Sequence, residues 1–266
     1  MKPLTEFALD ARRAVRGVLC DIDDTLSSEG RITAEAYSAM QRLQQAGLLV
    51  IPVTGRPAGW CDHIARMWPV DGVVGENGAF YFRYDTAARR MRRHFVDDAA
   101  TRAVHRTRLA QIAQEILNAV PGTAIAADQQ YRETDLAIDF CEDVTPLPQS
   151  AIDEIVMRME KHGLTAKVSS IHVNGWFGDY DKLGMSKTLM REAFGVDLDA
   201  TRTRYIFVGD SPNDAPMFGY FPHAVGVANI LEFGARVAPL PAYVSVKRCG
   251  AGFAEVSDYL LAAKIS

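Results

Sequence analysis

Three features predict an α/β architecture: a doubly wound parallel sheet that carries an inserted α+β unit. Short apolar runs alternate with helical periodicity through residues 14–79. Two apolar runs end in acidic turns, "DIDDT" (21–25) and "GDSPND" (209–214). The alternation breaks between roughly residues 85 and 179 and then resumes. A β-α-β-α order with buried runs is the signature of parallel sheets covered on both faces.

The elements follow in order. "AVRGVLCDI" (14–22) reads as a buried strand running into the first acidic turn. "TAEAYSAMQRLQQAG" (33–47) has helical spacing, with Thr33 as N-cap, Ala36 as its N3 residue and Gly47 at the C-terminal end. "LLVIPVTGR" (48–56) is a second strand that ends in a Thr-Gly turn. "AGWCDHIARMW" is helical, and "DGVVGENGA" (71–79) is a third strand leading to a turn. "AFYFRYD" and "RRMRRHFV" form a hairpin around "TAA". The long helix "DDAATRAVHRTRLAQIAQEILNAV" (97–120) leads to strands "TAIAAD" and "DLAIDF". The helix "PQSAIDEIVMRMEKHG" (148–163) leads to strands "LTAKVSS" and "IHVNGWF". That α-β-β-α-β-β order marks residues 85–179 as an inserted domain, with residues 1–84 and 180–266 forming the core. The core resumes with helix "KLGMSKTLMREAFG", strand "RYIFVGD" (204–210), the short helix "APMFGYF", strands "AVGVAN" and "AYVSV", and the terminal helix "AGFAEVSDYLLAA".

Composition narrows the function classes. The chain has 266 residues, 48% hydrophobic and 23% charged, with a net charge of −4. That balance exerts no global pull on nucleic acid or anionic membranes. No apolar run approaches the ~20 residues of a membrane span, and "MKPLTEFALDARRAV" lacks the apolar segment of a signal peptide. Cys20, Cys61, Cys141 and Cys249 lie far apart, so free thiols in a reducing cytoplasm are expected rather than a thiolate metal site. The arginines of "ARRMRRHF", with Arg102, Arg106 and Arg108, read as a solvated face. His63, His94, His105, His162 and His223 show no ligand spacing.

The acidic turns carry the chemistry. Asp21 and Asp23 stand at a strand's C-terminal end, the edge where open α/β sheets bind ligands. Left alone, the two carboxylates repel and one is driven toward protonation. A divalent cation removes that conflict, and Mg²⁺ is a hard ion that takes oxygen ligands. Asp210 and Asp214, at a second strand end, can meet the first pair over the same ion.

These segments resemble the haloacid dehalogenase-like superfamily. "DIDDT" is similar to its D-x-D-x-T motif, "VTGR" to its second motif and "GDSPND" to its fourth. "GENGA" and "AVGVAN…AYVSV…GAGFAEV" resemble the Cof-type, or IIB, subgroup, whose C2 cap falls where the insert lies. The resemblance spans essentially the whole chain and implies a Rossmann-like core and a phosphatase. Asp21 is then the nucleophile that becomes an aspartyl-phosphate. Asp23 protonates the leaving alkoxide and then activates water. Mg²⁺ is held by Asp21, the Asp23 backbone carbonyl and Asp210, with Asp214 binding or orienting a metal water. Thr54 and the Gly55 amide bind phosphoryl oxygens, and Asn213 supports the site. The expected lysine is Lys182, with Lys187 as the alternative. In the cap, Ser169, Ser170, His172, Asn174 and Trp176 lie on adjoining strands, and Trp176 and Asn174 form a platform for a sugar-like leaving group unless they are ordinary sheet packing. His172, Asn174 and Arg132 are the cap's candidate substrate contacts. Arg56 contacts substrate or makes a structural ion pair, Asp24 is structural, Thr25 caps local amides, and Asn77 is a turn residue.

A small phosphorylated metabolite, a sugar phosphate foremost, is the expected substrate. A sugar phosphomutase or phosphotransferase is the alternative on the same scaffold. A non-catalytic metabolite-binding protein is the alternative from another class.

Overall fold

The computed structural model describes residues 1–169 and 171–265. At its centre lies a six-stranded parallel sheet, ordered Lys2–Pro3, Tyr243–Val244, Val225–Gly226, Tyr205–Gly209, Gly17–Cys20, Leu49–Pro52. The inner strands are apolar along their whole length because both faces are covered. One layer packs Val18, Cys20, Val50 and Val208 against Leu43 and Leu260. The other packs Leu19, Ile51 and Phe207 against Leu189 and Met190.

Chain order reverses between Gly17–Cys20 and Tyr205–Gly209. The first strand continues through the helix Ala34–Gln45 to Leu49–Pro52 on one side, while Tyr205–Gly209 lies on the other. Cys20 pairs with Val208 and with Pro52. Asp21, Asp210 and the Thr54 turn therefore leave the sheet at one edge, beside the switch point where such sheets bind ligands.

Local signals set the helix ends. Thr33 caps Ala34–Gln45 by accepting from the Ala36 amide at 3.3 Å, as the sequence predicts. Asp181 caps Lys182–Phe194 through the Gly184 amide at 2.7 Å, and Gly195 ends that helix in the left-handed region.

The insert runs α-β-β-α-β-β. Helices Ala99–Ala119 and Gln149–Lys161 cover one face of an antiparallel sheet ordered Thr165–Val168, His172–Trp176, Asp135–Asp139, Ala124–Ile125. Leu136, Ile138 and Val173 face the helices. Side chains alternate across a strand, so Asp135, Asp139, His172 and Asn174 turn to the other face.

The hairpin corrects the expected boundary. Its strands, Phe80–Asp85 and Arg90–Phe95, extend a three-stranded sheet that starts at Val73–Gly75. Phe95 packs on Phe80 and Phe82, which belong to the core cluster. The strand Arg90–Phe95, placed in the 85–179 segment by the sequence, thus stays with the core.

Candidate active site

The buried strand ends gather charge. Asp21, Asp210 and Asp214 are each at most 5% exposed. One carboxylate oxygen from each lies within 4.8 Å of the others. Lys182 Nζ donates to Asp21 Oδ1 and to Asp214 Oδ1, both at 2.8 Å. The other oxygen of Asp214 accepts from the Asp210 amide at 3.2 Å. Gly209 leaves room for this, since a Cβ there would stand 2.4 Å from Asp214 Oδ2. Asp210 is steadied by the Thr25 hydroxyl and by Asn229 Nδ2, each at 3.3 Å.

Three carboxylates thus surround one ammonium. Burial pushes Asp21 up to about 7, with Lys182 opposing and Asp214 and Asp23 reinforcing the rise. Burial likewise raises Asp210 well above the usual carboxylate range, with Asp214 and Asp21 adding to it. Burial disfavours the Lys182 ammonium, but Asp21 and Asp214 outweigh it and hold the charge in place. Buried negative charge in excess of its counter-charge, presented by oxygen donors only, fits a hard divalent cation.

The Thr54 turn forms the adjoining wall. Thr54 is fully buried; its hydroxyl accepts from the Arg56 amide at 3.0 Å and its carbonyl from the Asn77 amide at 3.1 Å. Gly55 and Asn77 line the cavity. Asn77 holds φ 57° and is 7% exposed. Among the described residues its Nδ2 has no hydrogen-bond partner, although buried donors are normally satisfied.

The insert's open face supplies the roof. Arg132, Ser169, His172 and Asn174 line the cavity together with Asp21, Asp23, Asp210 and Asn213. The space among them is about 20 Å³, room for about one water molecule. Three cap candidates reach the cavity already engaged. Arg132 donates to Asp128, to Asp135 and to the Gly55 carbonyl. Asn174 Nδ2 donates to Asp135 at 2.9 Å, and His172 pairs with Glu142 at 2.8 Å. Trp176 does not form the expected platform; it is 2% exposed and stacks on Tyr180. Ser170 lies outside the described residues.

The structure separates the two lysines. Lys182 reaches Asp21, while Lys187 pairs with Asp199 at 2.7 Å, away from the cavity. Asp23 departs from the buried trio and meets Arg56 instead, at 2.8 Å. Asn213 lines the cavity and accepts from the Ser211 hydroxyl at 2.7 Å. Thr25 bonds the Asp210 carboxylate rather than only local amides. Sequence reasoning missed Asn229, Glu76, Asp128 and Glu142. Glu76 was visible only as part of a turn, yet it accepts from the Ala58, Glu133 and Thr134 amides and so bolts the core to the insert.

A doubly wound sheet with buried aspartates and a lysine at its switch point, roofed by an inserted domain, defines a capped α/β enzyme core. Residues 18–118 match the haloacid dehalogenase-like hydrolase family, and solved structures of haloacid dehalogenase-like hydrolases from Plasmodium vivax and Bacteroides thetaiotaomicron share the fold over almost the whole chain. A phosphoglycolate phosphatase of Methanoculleus marisnigri is 26% identical over 91% of this chain and 94% of its own. A Thermoplasma acidophilum protein of solved structure superposes with a TM-score of 0.71 at 18% identity, covering 93% of this chain and 98% of that one. The sucrose-phosphatase of Synechocystis, solved with sucrose and phosphate, gives a TM-score of 0.62 at 13% identity over 92% and 98%.

Proposed function

We propose that this chain is a Cof-type, Mg²⁺-dependent phosphatase that hydrolyses a small phosphomonoester through an aspartyl-phosphate on Asp21. The observation that carries the reading is the meeting of Asp21, Asp210, Asp214 and Lys182 at the sheet's switch point. Asp21 attacks phosphorus, the bond to the leaving oxygen breaks, and Asp23 gives that oxygen a proton. Water then attacks the aspartyl-phosphate, Asp23 takes its proton, and phosphate leaves. Lys182, Thr54 and the Gly55 amide bind the phosphoryl oxygens, with Asn213 supporting the turn. Asp21, Asp210, Asp214 and the Asp23 carbonyl would hold Mg²⁺, which offsets phosphoryl charge when bound.

The cap favours a neutral, hydroxylated leaving group such as a sugar. Arg56 and Arg132 are both already matched by Asp23, Asp128, Asp135 and Glu142. Neither offers a free cation to a leaving group that bears its own carboxylate, as phosphoglycolate does. Asn174 and Ser169 offer uncharged polar groups to the cavity instead. The four free cysteines fit a reducing cytoplasm.

The test is a panel of sugar phosphates, phosphoglycolate and p-nitrophenyl phosphate, each with Mg²⁺ or EDTA. Phosphate release that needs the metal and disappears in Asp21→Asn is expected, with sugar phosphates ahead of phosphoglycolate. Isomerised product without phosphate release would mean a mutase. Tight binding with no chemistry would mean a binding protein. A second readout needs no turnover: Mg²⁺ should raise the melting temperature of the wild type and leave that of Asp210→Asn unmoved.

A further inference from the structure

We propose that Arg56 is a positioning residue that seats Asp23 only when the insert is closed over the core. The inference rests on the phosphatase reading above, since it concerns how the proton-transfer carboxylate is aimed.

Arg56 joins two bodies. Its backbone is fixed in the core: the amide donates to Thr54 Oγ1 at 3.0 Å and the carbonyl accepts from the Glu76 amide at 3.2 Å. Its side chain is 6% exposed and meets three carboxylates. On the core side, Nε reaches both oxygens of Asp23 at 3.0 and 3.1 Å, and Nη2 reaches Oδ1 at 2.8 Å. On the insert side, Nη2 donates to Glu142 at 3.2 Å and Nη1 to Asp128 at 3.5 Å. The guanidinium carbon sits 4.5 Å from the Trp60 ring centroid, so the ring supports the fork from its face.

The insert-side partners are themselves held. Asp139 accepts from the amides of Cys141, Glu142 and Asp143, which locks the turn that carries Glu142. His172 pairs with the far oxygen of Glu142 at 2.8 Å. Asp128 is gripped by Arg132, which also donates to the Gly55 carbonyl beside Arg56.

Asp23 has no comparable support of its own. Its side chain is 25% exposed, unlike the buried trio. Among the described residues, Arg56 supplies every hydrogen bond to its carboxylate. When the insert lifts away, Arg56 loses Glu142 and Asp128, and the remaining pair faces water. An exposed ion pair holds two side chains weakly, whereas a partly buried two-point Arg–carboxylate fork fixes both distance and plane. The space beneath the roof is tight, about 20 Å³, and lifting the insert widens it for a phosphoester. Asp23 is therefore aimed at each closure and released at each opening.

The experiment is a double-mutant cycle read with p-nitrophenyl phosphate, whose good leaving group keeps Asp23 variants measurable. Glu142→Gln should lower kcat about tenfold and Arg56→Lys about a hundredfold, with KM little changed, because a misplacement near 1 Å costs about that much. In an Asp23→Ala background neither should cause further loss. Equal losses in both backgrounds would show that Arg56 and Glu142 act only on the fold and would overturn the proposal. A crystal structure of Glu142→Gln gives an answer independent of turnover. A displaced or disordered Asp23 carboxylate is expected, and an unchanged seat overturns the proposal. If the wild type releases no phosphate at all, the phosphatase reading fails, while the crystallographic arm still decides whether Glu142 and Arg56 seat Asp23.

Discussion

At the scale of single residues, charge placement separates groups that composition cannot. Lys182 opens the helix Lys182–Phe194 and sits between Asp21 and Asp214. Lys187 lies five positions on, and at about 100° per residue it points elsewhere; it meets Asp199 and the Tyr220 ring. Lys182→Ala should lower kcat about 10²–10³-fold, the cost of removing one donor to developing phosphoryl charge. Lys187→Ala should keep nearly full turnover, and the reverse ranking in steady-state assays would refute the assignment. The aspartates were legible in the sequence because each follows an apolar strand, and a parallel sheet brings such ends to one edge. The partners of Arg56 were not. Asp128 and Glu142 lie 72 and 86 residues away, and only the packed insert brings them near. Asn229 was hidden for the same reason; its side chain meets Asp24 and Asp210 across the fold.

At the scale of elements, turns decide where those residues arrive. Gly78 follows Glu76 and Asn77, all three at positive φ. A Cβ on Gly78 would stand 2.0 Å from the carbonyl oxygen of Asp181, the residue that caps the Lys182 helix. Gly78→Ala should therefore push the helix start away from Asp21 and cost about 1–3 kcal/mol of stability, as overpacking does. Urea denaturation and a phosphatase assay should both register the loss; a variant with the wild-type midpoint and turnover would contradict it. Elements with their own signals were readable, among them the Thr33 cap and the α-β-β-α-β-β order of the insert. The hairpin was assigned to the wrong body because its apolar face, Phe80, Phe82 and Phe95, states that it needs a partner but not which one. The core takes it, through the α-helix Ala58–Met67 and its buried Cys61 and Ile64.

At the scale of the whole molecule, a closed insert and a surplus of buried negative charge describe one working state. Closure depends on ion pairs and so on pH. Glu142 is held down to about 2, chiefly by the His172 imidazole 2.8 Å away and then by Arg56, against the opposing effect of burial. A carboxylate lowered from its ordinary 4.5 contributes its full stabilisation above 4.5 and loses it as pH falls toward 2. Protection factors at residues 139–143, taken relative to the intrinsic exchange rate at each pH, should fall as pH drops across that window, and Glu142→Gln should flatten the change. Protection factors with the same pH response in both proteins would mean that Glu142 does not hold the insert shut. The surplus charge makes the stronger claim, that Asp21 itself carries the phosphoryl group. Borohydride converts an acyl phosphate to an alcohol, so enzyme quenched during turnover with Mg²⁺ should yield homoserine at position 21 in its peptide map. Phosphate release with homoserine at another aspartate, or at none, would contradict the account.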